Sequence, residues 1–338
     1  MEKRDLLASG LRWSGALSAL MQLPPRDGLL SLCYHRIADY ENDSYDSGII
    51  STNGDQFDDQ VSFLKRKQWL VTLEEALAFV EGKSGEKSPR FKVLITFDDG
   101  YLDNYEIAFP ILRAHGAQGV FFLSTGLVGS NAVLWWDEIA YLVKHAKRRK
   151  FSLSYPERLE VDIGKNGTNE SVASVNFLYR RPENTDSERF MRELRAALGE
   201  TDPPSHPRRY LSWDEARQMI AGGMAIGGHT HSHRMLSKLD LEEQRKELTQ
   251  SRAKIAEQLG IDTNVLAYPY GFNLAFSEQT QRIANEAGYR AAFSYYGGFN
   301  RNGSIDRYDI KRVGVNGQSH SRFRAEVGVS RLSGKFWP

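Results

Sequence analysis

The sequence predicts an α/β fold of βα units around a largely parallel sheet, and three observations lead there. Short apolar runs rich in Val, Ile and Phe alternate with segments of helical period. About seven such units fit the chain, which favours a closed βα barrel over an open sheet, although periodicity does not decide closure. The residues best suited to chemistry stand just after predicted strands, where barrels of this kind build their sites.

The elements follow in order. A strand over 29–33 leads to a helix over about 55–67, and a short strand over 69–73 leads to a helix over 74–80. After a polar loop at 81–90, residues 91–97 form the clearest strand of the chain. Asp103 stands where it can cap a helix that ends at Gly116, and 119–124 is the next strand. Residues 130–210 break this rhythm and read as an insertion carrying a basic run at 144–150. The alternation resumes with a helix over 213–221 and a strand over 224–228. Asp240 and Glu243 resemble a capping box before a helix that places Leu241, Leu248, Ile255 and Leu259 on one face. Strands over 264–268, 289–294 and 310–315 follow, with a helix over 276–287 between the first two.

Composition narrows the class. The 338 residues suffice for one large domain or two small ones, and the net charge of +1 lacks the basic excess of a nucleic-acid binder. The single cysteine, Cys33, excludes an internal disulfide and a cysteine-based zinc site; it reads as a small buried hydrophobe. Residues 1–27 form an amphipathic segment interrupted by Arg12, without a clear cleavage site. A helix packed on the domain is preferred there, with an interfacial helix on a membrane as the alternative. A cytoplasmic location follows as the default expectation, and membrane association stays open. The domain proper is expected over 28–320, with a tail at 321–338.

Two segments carry chemistry. Gly228-His229-Thr230-His231-Ser232-His233 places three of the eight histidines within five residues, after a short strand. His229 and His233, four apart, can face one ion on a turn. Thr96-Phe97-Asp98-Asp99-Gly100 also ends a strand; two adjacent acids there are poor core residues, although Asp-Gly is also a common turn pair. Two histidines and one carboxylate make a three-ligand site with open positions, the arrangement of a catalytic metal. A second carboxylate, free of the metal, can take a proton from water.

These two motifs resemble the first and second motifs of the polysaccharide deacetylases, the NodB-homology or carbohydrate esterase 4 family, over roughly 28–130 and 210–316. The resemblance implies a distorted (β/α)7 barrel, Asp98 as general base, and Asp99, His229 and His233 as ligands of a divalent metal. That metal is usually zinc, with cobalt, nickel or manganese as alternatives. Tyr34-His35-Arg36-Ile37 is similar to a feature of the subgroup encoded with exopolysaccharide genes. Ala267-Tyr268-Pro269-Tyr270-Gly271 looks like that subgroup's third motif. The resemblance implies that Tyr268 and Pro269 line a substrate groove and that the Tyr270 backbone N–H stabilises an oxyanion. Tyr101 is a further candidate for the groove. Trp135 and Trp136 can stack on sugar rings, although a hydrophobic anchor for the insertion is the preferred reading of that pair.

Two departures stand out. The third motif lacks the Arg that orients the base in many members, and Arg312 on the last strand is the candidate to supply it. The late Leu-x-His that carries the general acid is absent, which leaves His35, His231 and His320 as candidates. The expected function is metal-dependent deacetylation of an N-acetylated glycan or its precursor. An O-acetyl esterase or another C–N hydrolase on the same fold, and a catalytically weak glycan-binding module, are the alternatives.

Overall fold

A computed structural model describes residues 21–39, 45–85, 88–199, 209–317 and 319–334. The chain forms two compact units: Met1–Ala38, Ser51–Ser130 and Arg208–Pro338 make the first, and Asp39–Ile50 with Asn131–Pro207 the second. The N-terminal amphipathic segment expected at 1–27 lies, up to residue 20, outside the described residues.

The first unit is built on an eight-stranded sheet in which a short strand, Asn300–Arg301, lies antiparallel on the first strand and the other seven form the barrel: β1 (Gly28–Tyr34), β2 (Phe91–Phe97), β3 (Gly119–Leu123), β4 (Ala225–Gly228), β5 (Val265–Ala267), β6 (Ala291–Phe293) and β7 (Arg312–Gly314). They pair in the order β6-β5-β4-β3-β2-β1-β7, every pair parallel. A parallel bridge between Phe293 and Ile310, just ahead of β7, joins the two remaining edges. The result is a nearly closed seven-stranded parallel barrel with helices around it, as the sequence predicts. β1, β2 and β3 are buried at every position. That explains their continuous apolar runs, since a parallel strand is covered on both faces.

Local sequence sets most helix starts. Asn53 caps α1 (Gly54–Arg66) by accepting from the Gln56 N–H. Thr72 with Glu75, and Ser212 with Glu215, form reciprocal capping boxes at α2 (Leu73–Val80) and at α4 (Trp213–Ala221). Between them, α3 (Phe109–Ala114) follows a π-helical turn. Asp240 caps α5 (Leu241–Leu259), which Gly260 ends in the left-handed conformation. Ser277 opens α6 (Glu278–Glu286).

Four expectations change. Residues 69–73 form a single bridge, Leu70 to Val93, and no full strand, because Thr72 already starts α2. The helix foreseen over 103–116 begins as a π-helical turn, Asn104–Ala108, and Asp103 does not cap it. Its carboxylate instead takes the Arg36 guanidinium at 2.9 Å and the Ile37 N–H at 3.2 Å. The segment read as a C-terminal tail forms α7 (His320–Ser333), whose Phe323 and Val327 enter the barrel's hydrophobic cluster. The irregular stretch at 130–210 is the bulk of the second unit, joined there by Asp39–Ile50.

That second unit has its own apolar cluster, drawn from the helices Trp135–Lys144, Thr168–Arg180 and Ser187–Leu198 and from a hairpin, Lys150–Leu153 with Leu159–Asp162. Among the described residues, no helix is long and apolar enough to cross a membrane.

Candidate active site

The C-terminal ends of β2 and β4 carry the two motifs. β2 ends at Phe97, and the chain turns so that Asp99 adopts a left-handed φ of 72°. β4 ends at Gly228, where a Cβ would lie 2.6 Å from the Tyr289 hydroxyl, so only glycine fits directly before His229. Thr230 (φ 62°), His233 (φ 59°) and Tyr270 (φ 63°) are also left-handed. Among the described residues only Gln68 otherwise shares that conformation without being glycine. Concentration of such unfavourable backbone at one place is typical of a functional site.

Asp99, His229 and His233 converge, all buried, with one ligand atom from each within 4.8 Å of the others. His229 Nε2 lies 3.4 Å and His233 Nε2 3.1 Å from the same oxygen, Asp99 Oδ1. The other nitrogen of His229, Nδ1, is 2.8 Å from the Ala267 carbonyl. Its proton therefore sits there, and Nε2 turns its lone pair toward Asp99. Asp99 Oδ1 is buried and accepts no hydrogen bond of sound geometry. One carboxylate oxygen and two imidazole nitrogens thus point at a common centre that a cation would complete, and the donor set suits a zinc-type ion with open positions.

Asp98 takes a different environment. Arg312, fully buried at the start of β7, grips it with Nη1 to Oδ1 at 2.6 Å and Nη2 to Oδ2 at 2.7 Å. The guanidinium is itself fixed by the Ser294 carbonyl at 3.0 Å and by Thr96 Oγ1 at 3.2 Å. Burial raises the Asp98 carboxyl, but the Arg312 charge more than offsets this and holds it below its ordinary value. Oδ2 also faces the Asp99–His229–His233 cluster, 3.9 Å from His229 Nε2, and takes the Cys33 thiol at 3.5 Å.

The remaining candidates divide. His35 stands beside Asp98 and Cys33 at the end of β1, its ring edge-on to Tyr295 at 5.5 Å. Burial pushes its imidazole below the ordinary range against the pull of Asp99 and Asp98. Tyr270 is half-buried with its ring 5.5 Å from that of His233. His231 is 3.0 Å from Thr125 Oγ1, and His320 pairs with Asp59 on α1 at 2.7 Å.

Two aromatic candidates for sugar contact are corrected, and a third takes the anchoring role preferred for it. Tyr268 is buried, stacked on Phe276 at 4.2 Å, and its hydroxyl donates to the Tyr308 carbonyl at 3.1 Å. Tyr101 is equally buried against Tyr210 at 5.2 Å. Both rings belong to the core. Trp135 stacks on Tyr179 at 4.1 Å within the second unit's own cluster, the anchoring role. Pro269 is buried as well.

The family model for polysaccharide deacetylases matches residues 85–292. This chain belongs to the polysaccharide deacetylase family. Among curated relatives of the family, YxkH of Bacillus subtilis (strain 168), assigned to the polysaccharide deacetylases, is 23% identical over 245 residues, covering 72% of this chain and 58% of the relative. The chain thus spans 58% of that relative's length. Among solved structures, IcaB from Ammonifex degensii superposes with a TM-score of 0.58 at 22% identity, covering 90% of this chain and 98% of that one. The Streptococcus pyogenes deacetylase PplD, solved with acetate, gives a TM-score of 0.53 at 18% identity, covering 87% and 94%. Both likenesses establish the NodB-type barrel for this family member.

Sequence reasoning missed Ser294, whose carbonyl fixes Arg312, and Glu247 on α5. The Glu247 carboxylate receives the backbone N–H groups of His231 at 2.9 Å and Ser232 at 2.8 Å, together with the Ser232 hydroxyl. A legible signal existed for Glu247: it falls among Gln244, Leu248, Ser251 and Ile255 on the helix's buried stripe, where an acid needs a reason to be.

Proposed function

We propose that this chain is a metal-dependent hydrolase that removes acetyl groups from the amide nitrogen of an N-acetylated glycan, or of a glycan precursor. One observation carries the reading: the ligand cluster and the Arg312-bound carboxylate stand side by side, with Asp98 Oδ2 3.9 Å from His229 Nε2. Asp99, His229 and His233 would hold the metal, and the donor set favours zinc. Bound there, zinc polarises the acetyl carbonyl and makes water more acidic.

The chain's own residues supply the rest. Asp98, kept ionised by Arg312, accepts the proton of the attacking water. The Tyr270 backbone N–H, in a left-handed turn beside His233, would donate to the charge that develops on the acetyl oxygen. His35, the histidine beside Asp98 that lies outside the ligand set, takes that proton from Asp98 and passes it to the leaving amine. Water and amide are consumed, and acetate and a free amino sugar leave. The missing Arg of the third motif and the missing late His are the two grounds for a binding module without catalysis, and the Arg312–Asp98 pair removes the first of them.

The test is acetate release from N-acetylglucosamine oligomers and from O-acetylated sugars, with added zinc or cobalt and an Asp98→Asn control. Release from the N-acetylated members by the wild type alone supports the proposal. Release confined to O-acetyl substrates would move the assignment to an esterase, and none from metal-loaded, folded protein would overturn it for these substrates.

A further inference from the structure

The two histidines of the ligand cluster are placed by different means. His229 is fixed through its own ring, which donates to the Ala267 carbonyl. His233 is placed through its backbone: its N–H meets Thr230 Oγ1 at 3.2 Å, and its φ of 59° turns the side chain back toward Asp99. The position of its ring therefore depends on the loop from Thr230 to His233 keeping two left-handed residues, neither of them glycine. Each costs about 1 to 2 kcal/mol, and such a loop relaxes unless something holds it.

We propose that Glu247 is the positioning residue that holds this loop and thereby sets the affinity of the metal site. The inference rests on the metal reading given above. Successive N–H groups following a left-handed residue converge into a concave anion site. Here the His231 and Ser232 N–H groups both reach Glu247 Oε2, at 2.9 and 2.8 Å, and the Ser232 hydroxyl reaches Oε1. The acid that fills this concavity belongs to the chain itself. It projects from the middle of α5, a helix of 19 residues, and is 8% exposed. Charge-assisted bonds of this kind, shielded from water, are the strong ones. They tie the ligand loop to a long helix rather than to another loop. Glu247 touches no ligand atom; it acts on His233 through the backbone.

The test is titration of metal-free protein with Zn²⁺ by calorimetry and with Co²⁺ by visible absorption, in wild type, Glu247→Gln and Ser232→Ala, with thermal unfolding of each metal-free protein alongside. Glu247→Gln keeps the shape but sets an amide N–H₂ against donors. It is expected to weaken metal binding by about 10- to 100-fold at unchanged stoichiometry. Ser232→Ala, which removes one partner and leaves the two backbone bonds, is expected to weaken it less but in the same direction. A merely structural role would lower the unfolding temperature and leave the affinity of the folded protein alone. Affinities within about twofold of wild type in folded Glu247→Gln would overturn the inference. Should that variant not fold, an unchanged affinity in Ser232→Ala would do so. A wild type that binds neither ion would overturn the metal reading itself, and this inference with it; equal binding by wild type and variants would overturn this inference alone.

Discussion

Arg312 and Asp98, 214 residues apart in sequence, meet through two parallel hydrogen bonds of 2.6 and 2.7 Å inside the barrel. The pair joins the start of β7 to the end of β2 across β1, with which both strands are in register. Arg312→Lys cannot reproduce this fork. It is expected to lower deacetylation by up to about 100-fold through misplacement of the carboxylate, while metal content stays at the wild-type level. Arg312→Ala should in addition destabilise the fold by roughly 3 to 5 kcal/mol, since it leaves a buried charge alone. Acetate release, elemental analysis and urea unfolding on the same samples separate these effects.

The adjacent acids should respond in opposite ways. Asp98→Asn is expected to retain the metal and to lose about 10²- to 10⁴-fold in turnover, the usual contribution of a general base. Asp99→Asn should lose the metal itself. Zinc content after dialysis distinguishes them, and equal zinc loss in both would contradict the division of roles.

Acid stability can be read at a surface pair. Glu81 accepts from Arg290 Nε at 2.5 Å, and this bond, with a second from Lys83, lowers its carboxyl from 4.5 to about 2. A depressed carboxyl contributes its stability in full above the unfolded value. That contribution is lost as pH falls from 4.5 toward 2. Arg290→Ala removes the main cause of the shift, so its acid-unfolding midpoint should move to higher pH, as followed by circular dichroism. An unmoved midpoint would show that the pair adds nothing.

Tyr268→Phe separates a core role from a substrate role. Losing the bond to the Tyr308 carbonyl should cost about 1 kcal/mol, seen in urea unfolding, with kcat and KM unchanged. A raised KM with unchanged stability would restore Tyr268 to the substrate groove.

How much of this was legible depended on how local each determinant is. The seven strands and most helix starts could be read because apolar period and capping residues act within a few positions, as at Thr72 and Ser212. The ligand cluster was legible for the same reason: each half is contiguous, and only the meeting of the halves needed the fold. Arg312 could be suggested from its strand position, but its grip on Asp98 depends on the register of β1 with its two neighbours. Asp103 was misread as a cap because its partner, Arg36, is 67 residues away. Tyr101 and Tyr268 were misread because a side chain's direction at the end of a strand follows the turn that comes next, and alternation says nothing about that turn.

Asp99, Thr230, His233 and Tyr270 all hold backbone conformations that a side chain disfavours. At about 1 to 2 kcal/mol each, they withhold a sum comparable with a good part of the 5–15 kcal/mol by which a typical domain stays folded. Selection for heat resistance alone would thus find its easiest gains at these four positions. The hardier descendants would be the poorer catalysts, a trade-off located in four backbone angles.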